Sequence, residues 1–245
     1  MLTELAYLVC LTIIEILGIW IGPAAGIILH AGLILFLFGL YMFRQEDVGW
    51  RLWLGLILVS LLRIASLALP LSLVPPLLWA GVICLPVWMG IGLLRGYLRI
   101  PAAELALRKA GWGGQVFIAL SGVPLGLVGS LLLNPQPFFP EFSWVGLLLG
   151  GALLLVSVAF TEEVLFRGLL LPLAQRALGE AALPFVSALY AVMYIGVQSP
   201  GFLLWMGVAG WFWGWCVQET RSLWGVAIAH GLMVVGMGFV WPYYF

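Results

Sequence analysis

An all-α, polytopic membrane bundle of about eight or nine spans is the fold class that this sequence predicts, and three observations predict it. The chain is 64% hydrophobic and only 8% charged, against about 25% charged in an ordinary soluble domain, so a solvated surface cannot be assembled from it. Apolar windows close to the ~20 residues that a helical span needs recur along its whole length. Lys and Arg gather in alternate connections between those windows, the pattern that orientation in a membrane imposes.

The windows fall near 2–21, 24–43, 50–69, 75–94, 114–133, 144–163, 183–198, 202–219 and 222–241, separated by polar or Pro/Gly breaks. The first has no basic n-region and is long enough to cross, so it is expected to be an anchor rather than a cleaved signal. The basic connections hold Arg44 and Arg51, then Arg95, Arg99, Arg108 and Lys109, then Arg176, then Arg221. The connections near 21–24, 70–75, 134–143 and 198–201 hold no Lys or Arg. The positive-inside rule therefore predicts a cytoplasmic N-terminus. Within the longest polar connection, 102–109 reads as a short interfacial helix. Gly207, Gly210 and Gly214, and again Gly225 and Ala229, recur at spacings that let helices approach closely. No soluble domain or internal repeat interrupts the pattern, so 1–245 reads as a single transmembrane domain.

Other function classes are excluded or disfavoured by composition. Ten Lys plus Arg balance ten Asp plus Glu, so there is no basic excess of the kind that nucleic-acid binding requires, and no nucleic-acid partner is expected. Cys10, Cys84 and Cys216 lie far apart in apolar runs without metal-ligand spacing and read as packing residues. Thirteen Trp suit interfacial belts and helix packing better than a cofactor site. The partner that composition implies is the lipid bilayer.

Ionisable residues inside spans are expensive and mark function by default. They are Glu15, His30, Arg63, Glu162, Glu163, Arg167 and His230. Glu15 and Arg63 can neutralise each other as a structural pair, and His30 reads as a packing histidine. The run Thr161-Glu162-Glu163-Val164-Leu165-Phe166-Arg167-Gly168 differs, because two acids and a base sit together after an uncharged stretch. On a helix Glu163 and Arg167 are four apart and can close an ion pair. Glu162 points about 100° away, which leaves it free as a candidate general base. The bland alternative is an interfacial cluster that ends a span.

This run resembles the E-E-x-x-x-R motif of the CPBP family, intramembrane proteases that include the type II CAAX prenyl endopeptidases and the Abi or bacteriocin-processing proteins. Ser187 to Tyr194 occupies the place of the family's F-x-x-x-H motif. Gln218-Glu-Thr-Arg-Ser-Leu-Trp224 leading to His230 is similar to the last motif region, H-x-x-x-N. The resemblance covers a core of about 144–241. It implies Glu162 and His230 as catalytic residues, with Glu163, Arg167 and Tyr194 supporting them, and neither cofactor nor metal. It also marks departures. Tyr194 stands where the second motif has histidine, Val234 where the third has asparagine, and Tyr190 where the second has phenylalanine, a mild change. A phenol with an ordinary pKa of about 10 cannot share a proton at neutral pH as imidazole does, and valine offers no donor.

The resemblance thus implies an endopeptidase cutting a membrane-associated substrate in a cytoplasm-facing cavity, with an incomplete active site, in a bacterial inner membrane. One alternative is a non-catalytic scaffold or binding protein on the same fold. Another is a small transporter, with Glu15, Arg63 and Glu162 lining a path.

Overall fold

The computed structural model describes residues 2–69, 74–108 and 110–244. Lys109 and residues 70–73 of the 70–75 connection lie outside the described residues. The chain is 84% helical with no strands among the described residues, and seven helical runs there are long and apolar enough to cross a membrane. Four simple spans come first: α1 (Leu2–Ile21), α2 (Pro23–Phe43), α3 (Trp50–Ala68) and α4 (Pro76–Leu98). Their outward faces carry large apolar side chains such as Trp20, Leu35, Phe43 and Leu93, which only lipid accommodates over so continuous a surface.

The fifth expected span is two helices, α5 (Trp112–Leu120) and α6 (Gly122–Leu133). Pro124 explains the break: it has no N–H to donate to Leu120, four residues back. α6 lies against α12 (Trp224–Val235) through small residues. A Cβ on Gly122 would meet the Ala229 backbone, and one on Gly126 would lie 2.9 Å from the Met233 carbonyl. Glycine at both positions lets the two backbones touch.

The sixth expected span does not end at Glu163. α7 (Trp144–Leu154) continues through a wide π turn (Leu155–Phe160), the short α8 (Thr161–Glu163), a second π turn (Val164–Leu170) and α9 (Leu171–Leu178). The acidic pair is therefore in the middle of a long helical run rather than at its interfacial end. Gly179, at φ 58°, turns the chain back into α10 (Ala182–Val192). The expected span 183–198 is thus only 11 residues of α-helix, roughly 16 Å by helix rise, followed by a 3-10 turn at Ile195–Val197. α11 (Pro200–Thr220) is 21 residues long and close to the expected 202–219. The interfacial helix expected over 102–109 is a single 3-10 turn, Ala102–Leu105.

Cross-links show which connections share an end of the bundle. Trp53 Nε1 donates to Glu4, Tyr41 and Tyr97 hydroxyls pair, and Arg176 binds Glu104. Leu107 bridges Ser222, and Leu223 N–H donates to the Ala106 carbonyl at 3.0 Å. All described basic connections therefore gather at one end. At the other, Phe138 N–H donates to the Gly238 carbonyl and Tyr243 OH to the Phe139 carbonyl.

The start of α12 is held from outside. Its cap residue Leu223 has no polar side chain, and Gln115 of α5 replaces one by accepting from Gly225 N–H at 2.6 Å and Ser222 Oγ at 3.3 Å. One orphan donor of the helix N-terminus is thereby satisfied, and the rotation of α12, hence of His230, is fixed.

Candidate active site

Arg167 is the anchor of the site. Its guanidinium is 1% exposed and donates from Nη1 to Glu163 Oε1 at 3.0 Å, the i,i+4 pair that the spacing predicts. Nη2 donates to the Gly210 carbonyl of α11 at 3.3 Å. The charge also lies 4.1 Å above the Tyr190 ring, in cation–π geometry. A fully buried charge needs this many partners, because each unmet donor there would cost what hydration supplied.

His230 is fully buried and stacks on Trp213, ring centroids 5.1 Å apart. Its Nδ1 is 3.0 Å from Glu163 Oε1. Since a carboxylate only accepts, Nδ1 carries the proton and donates it. The expected partnership of His230 with Glu162 is therefore indirect: Nε2 stands 4.0 Å from Glu162 Oε2 and makes its contact with Tyr190 OH at 3.4 Å. Tyr190 OH is 3.2 Å from Tyr194 OH, which donates to Glu162 Oε2 at 3.0 Å. The order is Glu163, His230, Tyr190, Tyr194, Glu162.

Two arrangements of one labile proton fill every contact in this series. With His230 as imidazolium, Nε2–H donates to Tyr190, Tyr190 to Tyr194, and Tyr194 to the Glu162 carboxylate. With the proton on Glu162, each donor reverses and Tyr190 donates to Nε2. Both arrangements leave Glu162, Glu163, Arg167 and His230 at zero net charge, which a low-dielectric site favours. The chemistry available is therefore removal of a proton at Glu162 and its storage two phenols away.

Glu162 and Tyr194 are the members of the series that meet a cavity. A chamber of about 370 Å³ is lined by Glu162, Thr161, Tyr194, Val234, Arg63 and a mostly apolar remainder. His230 lies behind this wall. Pro135, Gln136 and Phe138 also line the chamber, so it extends toward the end whose connections hold no Lys or Arg rather than the basic end where an opening was expected. The reason is the α6–α7 connection, which folds in against the end of α12. The cleft at the basic end, about 670 Å³, meets Arg167 but not Glu162. Among the described residues no group of three or more His, Cys, Asp or Glu has metal-site geometry.

The remaining intramembrane charges form a second cluster. Arg63 Nε and Nη2 donate to the two Glu15 oxygens, each at 2.6 Å, and His30 Nε2 lies 3.3 Å from Glu15 Oε1. The structural pair expected of Glu15 and Arg63 is present, and His30 joins it. Tyr190 is the residue whose part sequence reasoning missed; its i,i+4 spacing from Tyr194 was the available signal.

The chain has no significant match among curated proteins or among solved structures. Residues 143–236, which hold the whole series from Glu162 to His230, match the family model described as Type II CAAX prenyl endopeptidase Rce1-like.

Proposed function

We propose that this multi-pass membrane protein is a CAAX-type endopeptidase that hydrolyses a peptide or membrane-protein substrate in the Glu162 cavity. Glu162 and His230 are the working residues, supported by Glu163, Arg167 and Tyr194. One observation carries the reading: a carboxylate in the wall of an apolar cavity is wired by two phenols to a buried imidazole. Water attacks the scissile carbonyl carbon as Glu162 takes its proton, and the tetrahedral centre collapses with cleavage of the C–N bond. The proton then passes to the leaving amine. Tyr194 orients Glu162; Glu163 and Arg167 hold His230. The site operates within a single transmembrane domain whose core is 144–241.

Val234 lines the cavity but has no donor for a developing oxyanion, and losing one such donor typically costs about 10²–10³ in rate. Tyr194→His combined with Val234→Asn is therefore expected to raise cleavage of a membrane-anchored peptide in proteoliposomes by about tenfold. An unchanged rate with preserved folding would favour a binding protein on the same fold.

We further propose a bacterial inner membrane with the basic end in the cytoplasm. Cytoplasmic reporters fused near Arg108 or Arg176 are then expected to be active, and those near Gln136 silent. The reverse pattern inverts the orientation and puts the Glu162 cavity on the cytoplasmic side.

A further inference from the structure

The second charged cluster lies outside the family-matched segment and has no part in the proton series, yet it borders the same cavity. Arg63 and Ser66 line the chamber together with Glu162 and Tyr194. Their depths agree. Gly55 of α3 packs against Leu170 and Leu173, at 2.9 and 3.1 Å from its Cβ position. From that level Arg63 is eight residues along α3, roughly 12 Å. Glu162 is eight to eleven residues back along the antiparallel run, roughly 12–16 Å.

A guanidinium has five N–H donors in a planar fork. In Arg63, Nε and one Nη2 hydrogen go to Glu15, and one Nη1 hydrogen goes to Ser66 Oγ at 3.3 Å. Two donors, one on each terminal nitrogen, have no protein partner among the described residues. The side chain is 17% exposed, against 2% for Glu15 and 1% for His30. Glu15 is thus the buried counter-ion and orienter, and the fork edge is what the cavity sees. A charge kept at this depth for packing alone would be enclosed by its partner; this one leaves donors beside a mostly apolar chamber.

We propose that Arg63 is a substrate-binding residue that takes a carboxylate of the peptide in the Glu162 cavity, an inference that rests on reading that cavity as a peptide site. Paired, charge-assisted N–H···O bonds from the terminal nitrogens suit a carboxylate and discriminate against an amide. The carboxylate comes from a chain end or an acidic side chain, and the test separates the two. Arg63 fixes the register of the peptide across the chamber, and Glu162 supplies the base. Removing Arg63 should therefore raise KM and leave kcat for bound peptide largely intact.

The probe is an apolar tetrapeptide, N-methylated along its backbone so that it cannot be cut, titrated calorimetrically into the protein in lipid nanodiscs. Three forms are compared: free C-terminal carboxylate, C-terminal amide, and C-terminal amide with one glutamate side chain. Either carboxylate form is expected to bind about tenfold or more tightly than the plain amide, the stronger one identifying the source. Glu15→Gln/Arg63→Gln, which keeps the cluster neutral and so foldable, should abolish the preference, and Glu15→Gln alone should weaken it. Equal binding of all three forms by the wild-type protein, or a preference that survives the double substitution, overturns the proposal. Because this readout needs no turnover, selective binding without any hydrolysis of a cleavable peptide would defeat the endopeptidase reading and leave the Arg63 site standing.

Discussion

Glu163→Gln is expected to destabilise the folded protein by about 3–5 kcal/mol, the range found when one partner of a buried ion pair is removed. Glu163 is fully buried and Arg167 is 1% exposed, so the guanidinium cannot turn to water. The amide oxygen that remains can still accept from His230 Nδ1–H, but the negative charge that faced both donors is gone. Glu162→Gln should cost no more than about 1 kcal/mol, because its side chain is 19% exposed and a glutamine oxygen still accepts from Tyr194. Thermal unfolding in a mild detergent separates the two. Glu163→Gln/Arg167→Met should recover much of the loss, since a neutral pair of similar volume leaves no stranded charge. Equal destabilisation by Glu162→Gln and Glu163→Gln would reduce the acidic pair to an anchoring cluster.

That contrast was legible in the sequence only in part. The i,i+4 spacing and helix geometry give the Glu163–Arg167 pair and set Glu162 apart, because they are local. Membrane class and alternation of basic connections follow from composition, and the structure gathers those connections at one end. What sequence could not supply is what depends on three helices meeting. Nothing in the spacing says that Glu163 rather than Glu162 accepts the hydrogen bond from His230 Nδ1–H. Nor does it say that the hydroxyl added by tyrosine at position 190 closes the gap between His230 and Tyr194. The change from phenylalanine is mild in volume and large in hydrogen-bonding capacity.

Helix boundaries failed for a similar reason. A window of hydropathy ends where charges begin, so the sixth span seemed to stop at Glu163. The run instead continues through a second π turn to Leu178, because Arg167 and both acids find partners on α10, α11 and α12. π turns recur at functional sites, where they re-aim side chains, and two of them flank the acidic pair here. Arg63 shows the same limit from the other side: its pairing with Glu15 could be guessed, but its place on the wall of the Glu162 chamber comes from the packing of Gly55 against Leu170 and Leu173.

Glu162→Gln has the largest expected effect on turnover. A positioned general base typically contributes about 10²–10⁴ in rate, and glutamine can accept the Tyr194 hydrogen bond but cannot take a proton from water. The measurement that tests the account most directly is the initial rate at which the purified protein in proteoliposomes cuts a membrane-anchored peptide, compared between wild type and Glu162→Gln. Measurable cleavage by the wild type is expected, with a fall in kcat of about 10²–10⁴ in the variant and thermal midpoint and peptide affinity nearly unchanged. Equal rates in the two proteins, or no cleavage by a folded wild type that binds the peptide, would contradict it.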